Sequence, residues 1–270
     1  MKPKKLKLRS RNKSCIELKT IETGNKRVLY RMGSTTPTEV ASKYPIDIEI
    51  NTAEACKVSG NKILMKQAFD SWNNTNPDNH IPNAEWVQIV GAHNEHALED
   101  LKNTLDQWGR MIIKHIHSSK GNGIYFVQTK DELEDWYNEH MDIDKYVFER
   151  YYTYSKEYRL HVTNDGCFYT CRKMLKNDAE VRWHRHENNS VWILEGNPLF
   201  CKPSNWDAIV AACINAKNAV GLDIAAVDVK VQTKDNPDFI ILETNSAPAL
   251  GEVGVIKYKE LLNRYIFAND

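Results

Sequence analysis

Hydrophobic and polar residues follow two periodic patterns along this chain, one typical of helices and one of strands. Over residues 95–108, apolar side chains recur at spacings of three and four, which predicts a helix capped by Asn94. Residues 158–163 and 167–174 read as strands, joined by a hairpin turn at Asn164-Asp165-Gly166. Further helices are predicted from Thr52 and over 62–72, 130–140, 205–220 and 257–267, and further strands over 27–31, 46–50, 86–90, 110–114, 124–127, 146–150, 225–232 and 239–244.

The order of these elements predicts an α+β protein in which two sheet-containing lobes enclose a cleft. We divide the chain into a basic N-terminal segment (1–25), a short N-terminal lobe (26–85), a central lobe with a small-residue flap (86–150) and a C-terminal lobe with a metal site (151–270). No internal repeat or low-complexity tract interrupts this plan. A fold of this kind is common among enzymes but does not specify an activity.

The charge balance, the lack of a long apolar run and the cysteine spacing limit the classes to which the protein can belong. Lys plus Arg (36) equals Asp plus Glu (36), so a surface wholly committed to nucleic acid or to an anionic membrane is not expected. The basic start, MKPKKLKLRSRNK, is interpreted as a solvated end rather than a nucleic-acid-binding arm. Without a long apolar run, and with six scattered cysteines that lack zinc spacing, we expect a cytoplasmic protein with reduced thiols and no membrane partner.

Three oxygen-bearing side chains lie on two late apolar strands. Glu243 and Asn245 are two residues apart, so a strand places them on one face, and Asp228 joins them if the two strands pair through the loop at 235–237. Two carboxylates and an amide oxygen in an apolar setting favour a hard cation between them, such as a magnesium ion bridging nucleotide phosphates. The alternative is an ordinary β-hairpin with charged ends.

A second candidate feature is a lysine followed by a loop of small residues. Lys114 ends an apolar strand directly before the flap, residues 118–123. Gly121 and Gly123 allow close backbone approach, so the flap N–H groups are suited to phosphate oxygens that Lys114 also meets. A solvated strand-end lysine is the simpler interpretation when this feature is taken alone.

The third feature is a linker between the lobes, which begins after the apolar strand at 146–150. Its backbone groups are suited to the edge of a nucleotide base, Glu157 to ribose hydroxyls, and Arg159 to a phosphate or carboxylate. A charged sheet edge is the alternative interpretation.

The lysine and flap, the linker and the late carboxylates occur in a sequence order that resembles the ATP-grasp superfamily. The resemblance is particularly to its branch of amino-acid and peptide ligases that add glutamate to proteins or small molecules. The run Glu243-Thr244-Asn245-Ser246-Ala247-Pro248-Ala249 is similar to the family's Glu-x-Asn-x-x-Pro-Gly signature, with Ala249 where glycine is common. The similarity extends over about residues 61–249. It implies an ATP-grasp fold, in which two α/β lobes clasp ATP, here with a shortened N-terminal lobe.

The resemblance implies a role for each residue of the candidate site. The residues implied to contact or cover the ATP phosphates are Lys62, Lys114 and the flap residues Ser118, Ser119, Lys120, Gly121 and Gly123. Those implied to bind the nucleoside are Glu149, Arg150 and Tyr151 beside adenine and Glu157 at the ribose. Arg159, with Arg172 or Lys173, would face the transferred phosphoryl group or the substrate carboxylate. Asp228, Glu243 and Asn245 would hold Mg²⁺, for which Mn²⁺ can substitute.

The acceptor is the part about which the resemblance says least. The chain before Lys62 is much shorter than the family's usual substrate-binding lobe. The polar loop at 180–189 lies where relatives contact substrate, so Arg182 or Arg185 is expected to bind a substrate anion, with a solvated loop as the alternative.

The activity implied is that of an ATP-dependent carboxylate-amine ligase. A substrate carboxylate attacks the γ-phosphate of ATP, and the amine of an amino acid, peptide or protein then displaces phosphate from the acylphosphate. One alternative is an ATP-binding module without turnover that recruits a nucleic-acid or protein partner through its basic N-terminus. Another is a kinase-like ATP-grasp member that stops after phosphorylation.

Overall fold

The computed structural model describes residues 2–91, 93–118, 122–186, 188–233 and 237–267. Within these ranges the chain forms twelve strands and seven α-helices. The strands are β1 (Lys7–Ser10), β2 (Val28–Met32), β3 (Ile48–Ile50), β4 (Trp86–Val87), β5 (Met111–His115), β6 (Ile124–Val127), β7 (Tyr146–Arg150), β8 (Lys156–Thr163), β9 (Gly166–Leu175), β10 (Ser190–Leu194), β11 (Ala225–Val231) and β12 (Phe239–Asn245). The helices are α1 (Thr38–Ala41), α2 (Ala53–Ser59), α3 (Lys62–Thr75), α4 (Glu95–Trp108), α5 (Lys130–Glu139), α6 (Trp206–Ala219) and α7 (Glu252–Phe267). None of the helices in the described ranges is both long and apolar enough to cross a membrane.

Both ends of the chain build the N-terminal lobe. β1, β2 and β3 form a parallel three-stranded sheet, and α7 shares its core. Around β1, Leu6 and Leu8 are buried while Lys5 and Arg9 are exposed, the alternation of a half-buried strand. The expectation of a solvated N-terminal end is therefore wrong, because the leucines between the basic residues join the core.

Asn51 ties this lobe to the C-terminal sheet. Its Oδ1 accepts hydrogen bonds from the backbone N–H groups of Asp223 (2.8 Å) and Ile224 (3.0 Å). Its φ of 60° lies in the left-handed region, which asparagine adopts more readily than most residues. The helix predicted from Thr52 begins one residue later, at Ala53, because the side chain of Thr52 caps α2.

The central lobe is an antiparallel sheet in the order β4-β7-β5-β6, packed against α4 and α5. α4 begins after Asn94, whose side chain accepts a hydrogen bond from Ala97 N (2.9 Å), and ends at Gly109, where φ is 71°. Met111 and Ile113 of β5 point into the core beneath these helices. Lys114, on the alternate face, points away from them, towards the cleft side of the lobe.

The C-terminal lobe contains a five-stranded antiparallel sheet in the order β10-β9-β8-β11-β12. On one face Leu160 and Val227 are fully buried in a core shared with α6 and α3. Because side chains alternate along a strand, Arg159 and Asp228 lie on the opposite face. That polar face holds most of the candidate site.

α3 and β10 also differ from the sequence-based prediction. The cluster of polar residues at 73–79 predicts a loop, but α3 continues to Thr75 and ends at Asn76, the residue before Pro77, where helical backbone is disfavoured. β10 was not predicted at all. Its residues, SVWIL, do not alternate between apolar and polar, and pairing with β9 makes them a strand.

Candidate active site

One cross-strand row of the C-terminal sheet brings three charged side chains together. Arg159 on β8 lies opposite Asp228 on β11, which in turn lies opposite Glu243 on β12. The Arg159 guanidinium donates from Nε to Oδ1 of Asp228 (2.6 Å) and from its NH2 to Oδ2 (2.7 Å), a bidentate pair. The predicted pairing of the strands that carry Asp228 and Glu243 is confirmed.

The surroundings shift the pKa values of the two carboxyl groups in opposite directions. Burial acts to raise the pKa of Asp228, but the Arg159 guanidinium outweighs it and leaves that pKa below its usual value. Burial raises the pKa of Glu243, and the neighbouring Asp228 carboxylate raises it further. Two neighbouring carboxylates repel each other, which favours a bound cation between them.

Asn245 supplies the third oxygen of the predicted metal site. It follows Glu243 on the same strand face, and its Oδ1 accepts a hydrogen bond from Ala247 N (2.8 Å), which leaves a lone pair free. Two carboxylates and one amide oxygen suit Mg²⁺, which usually keeps several waters. Over the described ranges no group of three or more His, Cys, Asp or Glu side chains could hold a metal ion, so this mixed set stays a prediction.

Lys62 lies between the acidic pair and the flap. It is the first residue of α3, after the cap Asn61, and its Nζ donates to the carbonyl oxygen of Ser118 (2.6 Å). Burial lowers the pKa of Lys62, and the negative charge of Glu243 offsets part of that effect. An ammonium group in this position is suited to phosphate oxygens.

The flap is described at both of its ends. Ser118 Oγ donates to the carbonyl oxygen of His115 (2.9 Å). Gly123 has a φ of 62°, and a Cβ there would lie 3.2 Å from the Cβ of His115 and 3.3 Å from that of Ser118, so glycine suits the position. The other three predicted flap residues, Ser119, Lys120 and Gly121, lie outside the described residues.

Glu149 is held between two lysines. Lys114 Nζ donates to its Oε2 (2.8 Å), and Lys66 Nζ lies 3.5 Å from the same oxygen. Burial acts to raise the pKa of Glu149, but the two ammonium groups outweigh it and lower the pKa to about 2. Lys114 is a buried residue within β5, so the alternative of a solvated strand-end lysine is wrong. The Glu149 carboxylate faces two lysines, and its place beside adenine stays a prediction.

Lys66 and Lys230 are buried beside the site, and the sequence analysis missed both. Lys66 follows Lys62 by one helical turn, and Lys230 follows Asp228 by two positions on a strand, so periodicity could have identified them. The Nζ of Lys230 lies 4.2 Å from the ring centroid of Tyr154. Burial lowers the pKa of Lys230 to about 8.

Glu157 faces two cations. Lys173 lies opposite it in the β8–β9 register, with 3.5 Å between Nζ and Oε1, and the NH1 of Arg185 lies 3.8 Å from Oε2. Arg185 also donates from NH2 to the carbonyl oxygen of Ser155 (2.8 Å). Of the two arginines predicted to bind substrate, Arg185 therefore reaches this cluster, whereas Arg182 is exposed.

Aromatic contacts join the 180–189 loop to the central lobe. The rings of Trp183 and Phe126 stack with 5.3 Å between centroids and an interplanar angle of 21°. The hydroxyl of Tyr151, a residue predicted to flank adenine, donates to the carbonyl oxygen of Trp183 (3.3 Å). The loop thus lies against the linker between the lobes, and the interpretation of 180–189 as a fully solvated loop is wrong for Trp183.

Arg172 and Arg150 do not join the charged face. Arg172 lies opposite Tyr158, a core residue, so its side chain is on the far face of the sheet, where its NH1 donates to the carbonyl oxygen of Leu199 (2.6 Å). The prediction of a catalytic role for Arg172 is therefore corrected, and Lys173, opposite Glu157, is the residue that the register brings to the charged face. Arg150 is exposed and pairs with Glu85 (2.8 Å).

No protein-family model matches this sequence, and no curated protein matches it either. Solved structures do match. D-alanyl-alanine synthetase A from Vibrio cholerae superposes with a TM-score of 0.66 at 15% identity, over 90% of this chain and 76% of that one. D-alanine–D-alanine ligase from Bacillus anthracis gives a TM-score of 0.62 at 13% identity, over 87% and 74%.

A third structure, the ATP-grasp ligase PsnB complexed with its minimal precursor, gives a TM-score of 0.60 at 13% identity, over 94% of this chain and 82% of that one. The ATP-grasp fold expected from the sequence is therefore confirmed. At such low identity the likeness concerns the fold, and activity has to be argued from the site.

Proposed function

We propose that this chain is an ATP- and magnesium-dependent carboxylate-amine ligase that forms an amide or peptide bond through an acylphosphate and releases ADP and phosphate. The observation that carries the proposal is the row of Arg159, Asp228 and Glu243 beside the half-buried Lys62 and the buried Lys114. Acidic groups for a cation and lysines for phosphate oxygens in one cleft are what a reaction on a nucleotide triphosphate requires. The ATP-grasp fold supports the same assignment.

In this proposal the chain positions its substrates and stabilises developing charge. Lys62 and Lys114 bind phosphate oxygens, while Arg159 stabilises the transferred phosphoryl group or the carboxylate that receives it. Asp228, Glu243 and Asn245 hold Mg²⁺, which offsets the negative charge of the phosphates when bound; Mn²⁺ substitutes.

The remaining proposed contacts lie towards the linker. Glu157 accepts the ribose hydroxyls, and the backbone at Arg150 and Tyr151 flanks the adenine. The Glu157 carboxylate already lies close to Lys173 and Arg185, so these two cations are part of the same pocket. Arg185 is the residue that we propose for an anionic group of the substrate.

The chemical steps balance without a further reactant. The substrate carboxylate attacks the γ-phosphorus of ATP, the bond to the β-phosphate oxygen breaks, and ADP leaves. The amine then attacks the acyl carbon, phosphate leaves, and the amine nitrogen loses a proton. D-alanine–D-alanine ligase takes its name from joining two amino acids, and we propose an amino acid, peptide or protein as the amine donor here. The six free cysteines fit a reducing compartment such as the cytoplasm.

Hydroxylamine trapping tests the proposal even while the natural amine is unidentified, because hydroxylamine takes the place of that amine. The protein is incubated with ATP, MgCl₂, hydroxylamine and a panel of amino acids and short acidic peptides, and hydroxamate and ADP are measured together. We expect one class of carboxylate to give hydroxamate and ADP in equal amounts. The Asp228→Asn variant should give neither, because it loses one of the two carboxylates proposed to hold Mg²⁺.

Product analysis separates the alternatives. ADP with a phosphorylated product that hydroxylamine does not intercept would indicate a kinase-like enzyme. ATP binding without ADP release for any carboxylate would indicate a binding module. An amide product formed with the natural amine, together with ADP and phosphate, is the expected result.

A further inference from the structure

Lys66 is a fully buried cation that the proposed reaction does not yet use. Its side chain has no exposed surface, and its Nζ has no hydrogen-bond partner among the described residues. Its ion-pair partner is Glu149, whose Oε2 lies 3.5 Å away, long for a charge-assisted hydrogen bond, and Asp70 interacts with it more weakly. Burying an ammonium group costs free energy unless the group is paired and hydrogen-bonded.

A second buried lysine shows what a purely structural role looks like in this chain. Lys217 on α6 is equally inaccessible, but its Nζ donates to the carbonyl oxygen of Leu222 (2.8 Å) and to Oδ1 of Asn218 (2.6 Å). The first bond satisfies a carbonyl group just beyond the end of the helix, and the second satisfies a side chain in its last turn. Lys66 closes no helix end and sits in the first turns of α3, one turn after Lys62.

The charges of the two lysines that contact Glu149 indicate the role of Lys66. Lys114 lies 2.8 Å from Oε2 of Glu149 and would be neutralised by it if the two formed an isolated pair. Lys66 contacts the same oxygen, so two ammonium groups share this one carboxylate, whose single negative charge does not compensate both. Because the ammonium groups are buried, their positive charge interacts with a nearby anion with little dielectric screening.

We propose that Lys66 is a positioning residue of the nucleotide site, which compensates Glu149 from the α3 side so that Lys114 keeps its positive charge for the triphosphate. This inference rests on the proposed function, because it assumes that phosphates bind beside Lys62 and Lys114. Lys66 itself touches Glu149 and no phosphate. Its effect on ATP is therefore electrostatic and depends on Glu149 being ionised.

The test compares ATP–Mg²⁺ affinity by calorimetry in four proteins: wild type, Lys66→Met, the double variant Lys66→Met/Glu149→Gln, and Lys217→Met. Lys66→Met keeps the length of the side chain and removes the charge, so we expect affinity to fall about tenfold. The double variant removes one positive and one negative charge, which restores the net charge beside Lys114. Its affinity should return to within about threefold of wild type. Lys217→Met should lose stability and keep wild-type affinity.

Each outcome decides a separate question. Wild-type affinity in Lys66→Met overturns the inference and leaves the proposed function standing. Reduced affinity that the double variant does not restore shows that Lys66 acts through packing, which also overturns it. If Lys66→Met does not fold, the double variant decides alone, and a tenfold weaker affinity there overturns the inference. Absence of ATP binding by the wild-type protein overturns the proposed function and this inference with it.

Discussion

Glu149 and Glu243 lie in the same cleft, yet their neighbours give them opposite character. Two ammonium groups face Glu149 and outweigh the effect of burial, so its pKa falls to about 2. Burial raises the pKa of Glu243, and the carboxylate of Asp228 adds to that shift. Glu149 is therefore already paired with two lysines, whereas the ionised form of Glu243 is the one that a bound metal ion would stabilise most.

The Glu243→Gln variant tests the metal assignment. The amide keeps the size of the side chain and removes the charge that offsets magnesium, so ATP turnover should fall roughly a hundredfold or more. Stability without magnesium should stay the same or rise, because one of two repelling carboxylates is gone. ADP release and thermal melts with and without magnesium measure both effects. The exposed Glu252→Gln is the control, and wild-type turnover in Glu243→Gln would refute the assignment.

The Glu149→Gln variant tests the buried lysine–glutamate cluster through pH. Folding lowers the pKa of Glu149 from 4.5 to about 2, so its ionised form stabilises the fold above pH 4.5 and that contribution is lost as the pH falls towards 2. A shift of this size corresponds to about 3 kcal/mol. The difference in free energy of unfolding between wild type and Glu149→Gln should therefore shrink as the pH falls from about 5 to about 3. Denaturant titrations measure it, and a difference independent of pH would contradict the cluster.

At the scale of the element, α3 is the helix that presents cations to the cleft. Its N-cap, Asn61, accepts hydrogen bonds on Oδ1 from the backbone N–H groups of Ile63 (3.0 Å) and Leu64 (3.2 Å). The cap holds the first turn, and Lys62 and Lys66 project from that turn and the next. One local motif thus orients two charges of the candidate site.

Replacing the cap separates helix stability from nucleotide binding. Asn61→Ala should cost about 1 kcal/mol of stability, the usual value of such a cap. It should also weaken ATP binding, because Lys62 loses its fixed position. Asn94→Ala is the matched control, since Asn94 caps α4 in the same way, with a 2.9 Å hydrogen bond from Ala97 N. Equal ATP affinity in the two variants would show that the first turn of α3 does not orient Lys62.

For the whole molecule, the proposed nucleotide site draws on two lobes at once. Lys114 belongs to the central lobe, and Asp228 and Glu243 belong to the C-terminal sheet. A ligand that bridges them binds the folded state only, and at a hundredfold excess over its Kd it adds about 2.7 kcal/mol of stability. ATP with magnesium should raise the melting temperature, EDTA should remove most of the gain, and adenosine should give little. Unchanged melting in millimolar ATP and magnesium would contradict the proposed function.

The local sequence was enough to predict the elements whose ends are set by residues next to them in the chain. Asn94 caps α4, which spans Glu95–Trp108 as predicted, and the turn at 164–166 joins β8 and β9. The spacing of Glu243 and Asn245 placed them on one strand face for the same reason, because side-chain periodicity is a property of a few consecutive residues. The order of these motifs was enough to predict the ATP-grasp fold.

Only the tertiary structure decided which charges meet and which elements depend on distant partners. β1 and β10 are strands because β2 and β9 pair with them, and neither was predicted from its own sequence. Sheet register put Lys173 on the charged face and Arg172 on the other, although the two are adjacent in the chain. Lys66 meets Glu149 across 83 residues of sequence only because α3 packs beside β7. Register and charge compensation are set by contacts between distant segments, which local periodicity does not encode.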